Sequence, residues 1–312
     1  MSEYVLKTSN LTKKFKYQVA LNNVNLSIKK GSIYGFIGQN GAGKSTLIRI
    51  ISGLALPTSG SIELFGNSDG QKLNETRKRI GTMIEGPALY SHMTATENLE
   101  AHRLLKGIPG KECVERTLKI VGLQDTGKKR ARNFSLGMKQ RLGIAIALLG
   151  EPEFLILDEP INGLDPMGVV EIRELLKKLN QEYGMTILIS SHILSELHLL
   201  ATHYGIIDKG NVLEQLTIAE LNAAELNAKC QQFLHIKVNN PQKAATVIET
   251  SLLTKDFEVM PDGVIKLFSY YKTPGEISSI LVKHGLIIEQ FMPMGQDLEA
   301  YFMNRIGGIR HG

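Results

Sequence analysis

A glycine-rich segment at residues 38–46 limits the architecture of this chain most strongly. Its sequence, GQNGAGKST, satisfies the spacing Gly-x4-Gly-Lys-Ser/Thr, and it stands between a predicted strand at residues 33–37 and a predicted helix at residues 44–52. Glycines let the backbone curl until successive N–H groups face one anion, and the positive end of the following helix points at the same place. The segment therefore predicts a phosphate-binding loop. In such a loop, Lys44 reaches the phosphates and the hydroxyl of Ser45 binds a Mg²⁺ ion.

Two carboxylates follow a second apolar run. Residues 154–157, with the sequence FLIL, predict a buried strand, and Asp158 and Glu159 come directly after it. Open α/β sheets bind ligands at the carboxyl ends of their strands. In that position Asp158 suits the Mg²⁺ shell, and Glu159 suits a general base that polarises an attacking water. The alternative for two such acids is a helix N-cap or a surface turn, which the phosphate loop elsewhere in the chain disfavours.

A histidine follows a third apolar run. Residues 185–190, with the sequence MTILIS, predict another buried strand, and His192 comes shortly after it. A lone histidine after a strand is more often structural than catalytic. Because it is the third motif after the phosphate loop and the carboxylates, His192 is predicted to contact the γ-phosphate and to orient the water.

Two helix starts are marked by capping residues. Thr94 with Glu97 forms a capping box at the start of a helix that runs through Leu105. Asp165 followed by Pro166 predicts an N-cap with proline in the first helical position.

The composition is that of an ordinary globular protein and excludes several classes. Of 312 residues, 43% are hydrophobic and 21% charged, and the net charge is +5. No run of 18 apolar residues and no secretory signal core occurs, so a cytosolic location is expected unless a partner holds the chain at a membrane. Cys113 and Cys230 form no metal-ligand pattern and are expected to be free thiols. The basic cluster at residues 128–130 lacks interleaved aromatics, which indicates a solvated face and no nucleic-acid partner.

The predicted elements divide the chain into two domains and a connector. Residues 1–216 alternate β-rich runs with helical stretches, which is typical of an α/β domain with a mainly parallel sheet, and residues of about 88–150 are expected to form a helical subdomain. Residues 217–230 are rich in Ala and Asn and predict a helical connector. Residues 231–312 follow the β-α-β-β-α-β order of a small α+β ferredoxin-like domain, with a last amphipathic helix at about residues 297–305.

Taken in chain order, these motifs resemble those of the ATP-binding subunits of ABC transporters, over about residues 1–215. The run FSLGM at residues 134–138 stands where that family usually has Leu-Ser-Gly-Gly-Gln. Ser135 and Gly137 are kept in it. Leu136 and Met138 depart from it. The resemblance implies a P-loop ABC ATPase fold with a mixed sheet and a helical subdomain, and hydrolysis of ATP with Mg²⁺.

The resemblance also assigns roles to single residues. Phe15 resembles the aromatic residue that stacks on adenine, with Tyr17 in reserve. Asp165 matches the D-loop and His192 the switch histidine. The implied nucleotide-binding set is Phe15, Gly38, Asn40, Gly41, Gly43, Lys44, Ser45, Thr46, Ser135, Gly137 and Asp165. The implied catalytic set is Lys44, Glu159 and His192, and the implied metal set is Ser45, Asp158 and Glu85.

The signature residues imply a partner subunit. The hydroxyl of Ser135 and the bare N–H of Gly137 lie at a predicted helix N-terminus, which is a second anion site. In the family this site caps the γ-phosphate of the ATP held by the other subunit. The resemblance therefore implies a head-to-tail homodimer or heterodimer of ATPase subunits, bound to integral membrane permease subunits at the cytoplasmic face of the membrane.

One departure narrows the resemblance to a subgroup. Glu85 stands where the family has the glutamine of its Q-loop, and it adds a negative charge that should strengthen the contact with Mg²⁺. This glutamate, the phrase Met83-Ile84-Glu85 and the ending at residues 298–302 are similar to those of bacitracin- and lantibiotic-type self-protection exporters. The resemblance thus implies export of a peptide antibiotic.

Three other functions are alternatives to the export of a peptide antibiotic. A general multidrug or ABC-2-type exporter ATPase would have the same motifs. Non-transport members in translation or DNA repair usually carry two cassettes or a long coiled-coil insertion, and this sequence has neither. A binding module without catalysis conflicts with the intact Lys44, Asp158, Glu159 and His192.

Overall fold

The computed structural model describes residues 3–221, 233–270 and 273–294. The chain divides into two compact units, Met1–Ala219 and Glu220–Gly312, so the division falls close to Leu216, after which the composition changes. Each unit encloses a buried hydrophobic core of its own.

Within the described residues, the first unit forms two sheets. Their strands are β1 (Tyr4–Phe15), β2 (Gln18–Lys29), β3 (Ile33–Ile37), β4 (Ser59–Leu64), β5 (Ile80–Met83), β6 (Phe154–Asp158), β7 (Thr186–Ser191), β8 (His203–Asp208) and β9 (Asn211–Thr217). The larger sheet has the order β5-β6-β7-β3-β8-β9, in which the first five strands are parallel and β9 is antiparallel. Strands β3, β6 and β7 are buried at every residue, which explains their apolar runs. The three strands predicted before the motifs are confirmed, β7 with a shift of one residue.

Helices of the first unit pack on these sheets, and two of them begin at the predicted caps. They are α1 (Lys44–Ile51), α2 (Gly70–Arg77), α3 (Ala95–Leu105), α4 (Glu112–Ile120), α5 (Leu136–Leu148), α6 (Pro166–Tyr183) and α7 (Leu194–His198). Thr94 and Glu97 form the predicted capping box of α3 through reciprocal hydrogen bonds. Asp165 caps α6, with Pro166 at the first helical position, so this prediction is also confirmed.

The smaller sheet supports the phosphate loop from one side. Its order is β2-β1-β4, and both pairs are antiparallel. Leu6, Leu26, Phe36 and Leu47 belong to one buried cluster, so this sheet shares a core with β3 and α1. The turn between β1 and β2 thereby comes to lie beside the start of α1.

Helices α3, α4 and α5 contact one another, and α5 also contacts β5 of the larger sheet. Cys113 in α4 is a free thiol, as expected. Among the described residues, no helix is both long enough and apolar enough to cross a lipid bilayer.

The second unit has the predicted β-α-β-β-α-β order. Its elements are β10 (Phe233–Val238), α8 (Pro241–Leu252), β11 (Phe257–Val259), β12 (Ile265–Leu267), α9 (Pro274–Lys283) and β13 (Ile288–Met294). The sheet order is β11-β12-β10-β13 with every pair antiparallel, which is the arrangement of a ferredoxin-like unit. Leu234, Ile236 and Val238 alternate along β10 and form the core with Ile248 and Leu281.

Some predictions fall on parts of the chain outside the described residues. These are the connector from residue 222 to 230, the amphipathic helix at about residues 297–305, and Cys230.

Candidate active site

The phosphate loop is held open for a ligand by tight backbone packing. A Cβ atom on Gly43, whose φ is +112°, would lie 2.6 Å from the carbonyl oxygen of Ala20. A Cβ atom on Gly38 would lie 2.5 Å from the carbonyl oxygen of Ile207. Only glycine fits both positions. Helix α1 begins at Lys44, and no described side chain caps it, so the N–H groups of its first turn are left for a ligand.

Lys44 is folded back onto its own loop. Its side chain is only 5% exposed, and its ammonium group donates hydrogen bonds to the carbonyl oxygens of Gly38 (2.6 Å) and Gln39 (3.3 Å). The same group lies 3.3 Å from Oε1 of Glu159. The ammonium therefore has carbonyl and carboxylate partners that phosphate oxygens can replace.

Glu159 and His192 lie within hydrogen-bond distance. Nδ1 of His192 is 2.8 Å from Oε2 of Glu159. The other oxygen, Oε1, is buried and finds no hydrogen-bond donor among the described residues, because its contact with Lys44 is an ion pair without hydrogen-bond geometry. Glu159 also has a φ of +51°, which is costly for a residue with a side chain and frequent at active sites. One carboxylate oxygen is thus oriented by a histidine, and the other faces the ammonium group of Lys44.

Asp158 is buried beside Ser190, a residue that sequence reasoning did not single out. The hydroxyl of Ser190 donates to Oδ1 of Asp158 at 2.5 Å and accepts a hydrogen bond from the backbone N–H of Glu159 at 2.9 Å. The only sequence signal was the pair of serines before His192 in a strand that is otherwise apolar. Asp158 and the hydroxyl of Ser45 are hard oxygen donors, which fits Mg²⁺ held by few protein ligands together with phosphates.

A cleft of about 290 Å³ joins these elements. Its walls include Phe15, most of the phosphate loop and Glu159, while Gly38, Asp158 and His192 are not among the residues that line it. The complete lining is Phe15, Gln18, Ala20, Asn40, Gly41, Gly43, Lys44, Ser45, Thr46 and Glu159. Phe15 is 54% exposed, whereas the reserve candidate Tyr17 is 98% exposed and is not part of the lining. Gln18 and Ala20 were missed because nothing in the sequence marks them.

A larger cavity of about 470 Å³ lies elsewhere in the first unit. Its lining includes Glu153 and Met185, which precede β6 and β7, so it lies at the edge of the sheet opposite to the motifs. In the described part of the chain, its walls contain none of the motif residues.

Ser135, Gly137 and Asp165 form a separate site at two neighbouring helix starts. Ser135 caps α5, and its Oγ accepts a hydrogen bond from the N–H of Met138 at 3.2 Å. Asp165 caps α6 through the N–H of Gly168 at 3.1 Å. A Cβ atom on Gly137 would lie 3.9 Å from Cα of Gly168, so the two helix starts are close together. This site does not line the cleft of Lys44.

Glu85, which the resemblance assigns to the metal set, pairs with an arginine of helix α1. Its carboxylate forms an ion pair with Arg49 of α1 and is not part of the cleft lining. The reason is geometric, because Arg49 follows Ser45 by one helical turn and presents its guanidinium group to the segment after β5. Glu85 has a φ of +59° and a side chain that is 62% exposed.

Comparison with known proteins identifies the family of the chain. A family profile described as ABC transporter matches residues 21–162. The chain is 42% identical over 304 residues to the bacitracin transport ATP-binding protein BcrA of Bacillus licheniformis, covering 97% of this chain and 98% of that protein. It is 46% identical over 209 residues to the lantibiotic transport ATP-binding protein SrtF of Streptococcus pyogenes, covering 67% of this chain and 89% of that protein.

A solved structure shows the same fold. It is the dimeric, post-hydrolysis state of the ATP-binding cassette MJ0796 bound to ADP and Pi. That cassette superposes on this chain with a TM-score of 0.62 at 29% identity, over 68% of this chain and 98% of the cassette. The phosphate loop, the carboxylate pair and the long matches to transport ATPases have one explanation: the chain belongs to the ABC transporter family, as an ATP-binding subunit that hydrolyses ATP.

Proposed function

We propose that this chain powers the export or removal of a peptide antibiotic of the bacitracin or lantibiotic type through separate membrane permease subunits. The observation that carries this proposal is the similarity to the bacitracin transport subunit, which extends over 97% of the chain and so includes the second unit. The match to the lantibiotic transport subunit supports the same substrate class.

The cleft suits ATP bound with its phosphates on the loop. The ring of Phe15 would stack on adenine, since it stands exposed at the cleft wall. Asn40, Gly41, Gly43 and Thr46 would surround the phosphates. Lys44 would leave Glu159 and the loop carbonyls for the β- and γ-phosphates, because a phosphate offers it a stronger charge.

Hydrolysis would use the carboxylates and the histidine. Ser45 and Asp158 would hold Mg²⁺, which supplies positive charge to the phosphate oxygens when it is bound. Glu159 would accept the proton of the attacking water at Oε1, the oxygen without a hydrogen bond among the described residues. His192 would keep Glu159 oriented through Oε2 and contact the γ-phosphate.

A second subunit would complete the site. Ser135, Gly137 and Asp165 lie away from the cleft of their own subunit, at the starts of α5 and α6. In a head-to-tail homodimer or heterodimer, these helix starts would cap the γ-phosphate held by the partner. The solved dimeric cassette is similar to this chain and supports such an assembly.

The permease would dock on the helical part of the first unit. An open groove of about 540 Å³ along α3 is lined by apolar residues, Met93 and Leu104, and by acidic residues, Glu97 and Glu100. Leu105 adds an exposed apolar side chain to the same helix. A permease bound there would hold the chain at the cytoplasmic face of the membrane and receive its movement.

The test is resistance in cells. The chain is expressed with membrane permease subunits that co-purify with it, in a host sensitive to bacitracin and to a lantibiotic. We expect the inhibitory concentration of at least one of these peptides to rise, and the rise to disappear with Glu159→Gln. Equal protection against unrelated lipophilic compounds would favour a general multidrug exporter. No protection, with the complex assembled in the membrane, would contradict the proposal.

A further inference from the structure

We propose that Ser190 is a positioning residue of the hydrolytic site, which locks Asp158 and Glu159 into one fixed geometry. The inference rests on the roles proposed above for those two acids. It concerns the hydroxyl group of Ser190 alone, which is fully buried at the end of β7.

Strand pairing brings the hydroxyl to the carboxylates. Strands β6 and β7 are parallel neighbours, and their register places Asp158 opposite Ser190. Both residues stand at the carboxyl edge of the sheet, where the phosphate loop also begins after β3. A serine at this register position therefore meets Asp158 without any loop having to move.

The hydroxyl uses both of its hydrogen-bonding functions on the site. Its single proton goes to Oδ1 of Asp158 at 2.5 Å, a short bond to a charged acceptor. Its oxygen accepts the N–H of Glu159 at 2.9 Å. The first bond occupies one oxygen of Asp158 and orients the other. The second bond holds the backbone of Glu159, whose φ of +51° requires support from its surroundings.

Preorganisation is the functional consequence. A metal ligand and a general base work best when their positions are set before the substrate binds, because no reorganisation is then needed during the reaction. Ser190 connects the two groups through one atom. Loss of the hydroxyl should therefore disturb Mg²⁺ use and turnover together, and should leave metal-free nucleotide binding unchanged.

A purely structural role of Ser190 predicts a different result. A buried hydroxyl that only satisfies its neighbours would affect stability and nothing else. Thr186, at the other end of β7, supplies that comparison, since it is fully buried and accepts the N–H of Gly31 at 2.9 Å.

The experiment compares Ser190→Ala and Ser190→Thr with Thr186→Ala in the full chain. Phosphate release is measured against Mg²⁺ concentration, ATP binding is measured with and without Mg²⁺, and thermal midpoints are recorded. For Ser190→Ala we expect kcat to fall by roughly 10- to 100-fold. The Mg²⁺ concentration for half-maximal activity should rise by roughly several-fold, as is typical when a residue that supports a metal ligand is lost. Metal-free ATP binding should stay within about twofold.

The other variants separate the positioning role of the Ser190 hydroxyl from its contribution to the stability of the fold. Ser190→Thr keeps a hydroxyl and should recover most of the turnover. Thr186→Ala should lower the thermal midpoint yet keep kcat and the Mg²⁺ requirement of the unmodified chain. Ser190→Cys keeps a side-chain donor, but only a weak one. If Ser190→Ala folds poorly, Ser190→Cys replaces it and should show the same fall in kcat and the same higher Mg²⁺ requirement.

Two outcomes would overturn the inference. In the first, Ser190→Ala and Ser190→Cys retain normal turnover and Mg²⁺ dependence while Asp158→Asn does not, so that only the role of Ser190 fails. In the second, Asp158→Asn is itself unaffected, so that the proposed metal role of Asp158 fails and the inference with it.

Discussion

A continuous series of side-chain contacts runs through the candidate site, and it starts at Lys44. Its ammonium group contacts Glu159, and Glu159 contacts His192, so a cation, an anion and an imidazole form one chain. Phosphates that take over Lys44 would release Oε1 of Glu159 for a water molecule. Binding and preparation of the general base are then one event, because the same ammonium group takes part in both.

Glu159→Gln tests the general base. We expect phosphate release to fall by at least ~100-fold, because an amide does not accept the proton that a positioned carboxylate does. ATP binding should be kept or strengthened, since Lys44 loses a competing anion. Steady-state phosphate release and equilibrium ATP binding are the measurements.

Glu153→Gln is the matched control for that substitution. Glu153 precedes β6, at the edge of the sheet opposite to the site, and is paired with Arg79 and Lys30. Its loss should leave turnover within about twofold, as for ordinary exposed ion pairs. Turnover by Glu159→Gln close to that of the unmodified chain would refute the assignment of the base.

Arg49→Gln tests whether Glu85 can serve the metal. The exposed pair of Arg49 and Glu85 contributes at most about 1 kcal/mol, so Mg²⁺ can compete for the carboxylate. Removing Arg49 should lower the Mg²⁺ needed for half-maximal hydrolysis by up to roughly fivefold, which corresponds to that energy. The effect should shrink at high salt, because exposed charges are screened.

A chain that already carries Glu85→Gln shows whether Glu85 causes the change in the Mg²⁺ requirement. The change caused by Arg49→Gln should vanish when Glu85→Gln is already present. Arg116→Gln, which breaks another exposed pair with Glu151, should leave the Mg²⁺ requirement unaltered. An equal effect of Arg49→Gln in both backgrounds would exclude Glu85 as its cause.

The start of helix α3 is determined by local chemistry. The hydroxyl of Thr94 accepts the N–H of Glu97 at 3.2 Å, and Oε2 of Glu97 accepts the N–H of Thr94 at 2.8 Å. The hydrogen bond that the carboxylate accepts from the N–H of Thr94, and after it one from the Thr94 hydroxyl, hold the pKa of Glu97 below its ordinary value. A lowered carboxyl pKa stabilises the fold above the unfolded pKa, and that stabilisation is lost as the pH falls through the folded value.

Thr94→Ala should cost about 1 kcal/mol of unfolding free energy, as is usual for the loss of an N-cap side chain. The measurement is the midpoint of urea unfolding, followed by helical circular dichroism. Thr96→Ala is the control, because Thr96 is exposed in the first turn of the same helix and alanine has the higher helix propensity there. Equal losses for both substitutions would mean that the capping box contributes nothing measurable.

Each of the two units encloses its own core, and this should be visible in how the chain unfolds. The first core contains residues such as Phe36 and Leu47, and the second contains Ile236 and Leu281. We expect two calorimetric transitions. ATP with Mg²⁺ at about 100 times its Kd should stabilise only one of them, by about 2.7 kcal/mol.

Substitutions assign those transitions. Ile236→Ala, in the second core, should lower the unfolding free energy of the unit that the nucleotide does not stabilise. The expected loss is roughly 2–5 kcal/mol, because this isoleucine is fully buried. Lys44→Ala should abolish the shift caused by the nucleotide. A single transition that moves as one unit with the nucleotide and with Ile236→Ala would contradict independent cores.

Local chemistry made several parts of the structure predictable. The capping box of α3, the N-cap Asp165 and the apolar strands before each motif depend on neighbours within a few residues, and all are confirmed. Contacts between distant segments were not predictable in this way. The bond between Ser190 and Asp158 joins residues 32 positions apart, and the pair of Arg49 and Glu85 joins residues 36 positions apart.

The order and spacing of the motifs were sufficient to predict a phosphate loop, a carboxylate pair and a histidine for one nucleotide site, because each motif carries its own local backbone geometry. The register between β6 and β7 decided that Ser190 supports both acids, and the packing of α1 beside the segment after β5 decided that Glu85 faces Arg49. Such contacts depend on how strands and helices are packed in space. A linear pattern does not contain that information, so the tertiary structure alone supplied it.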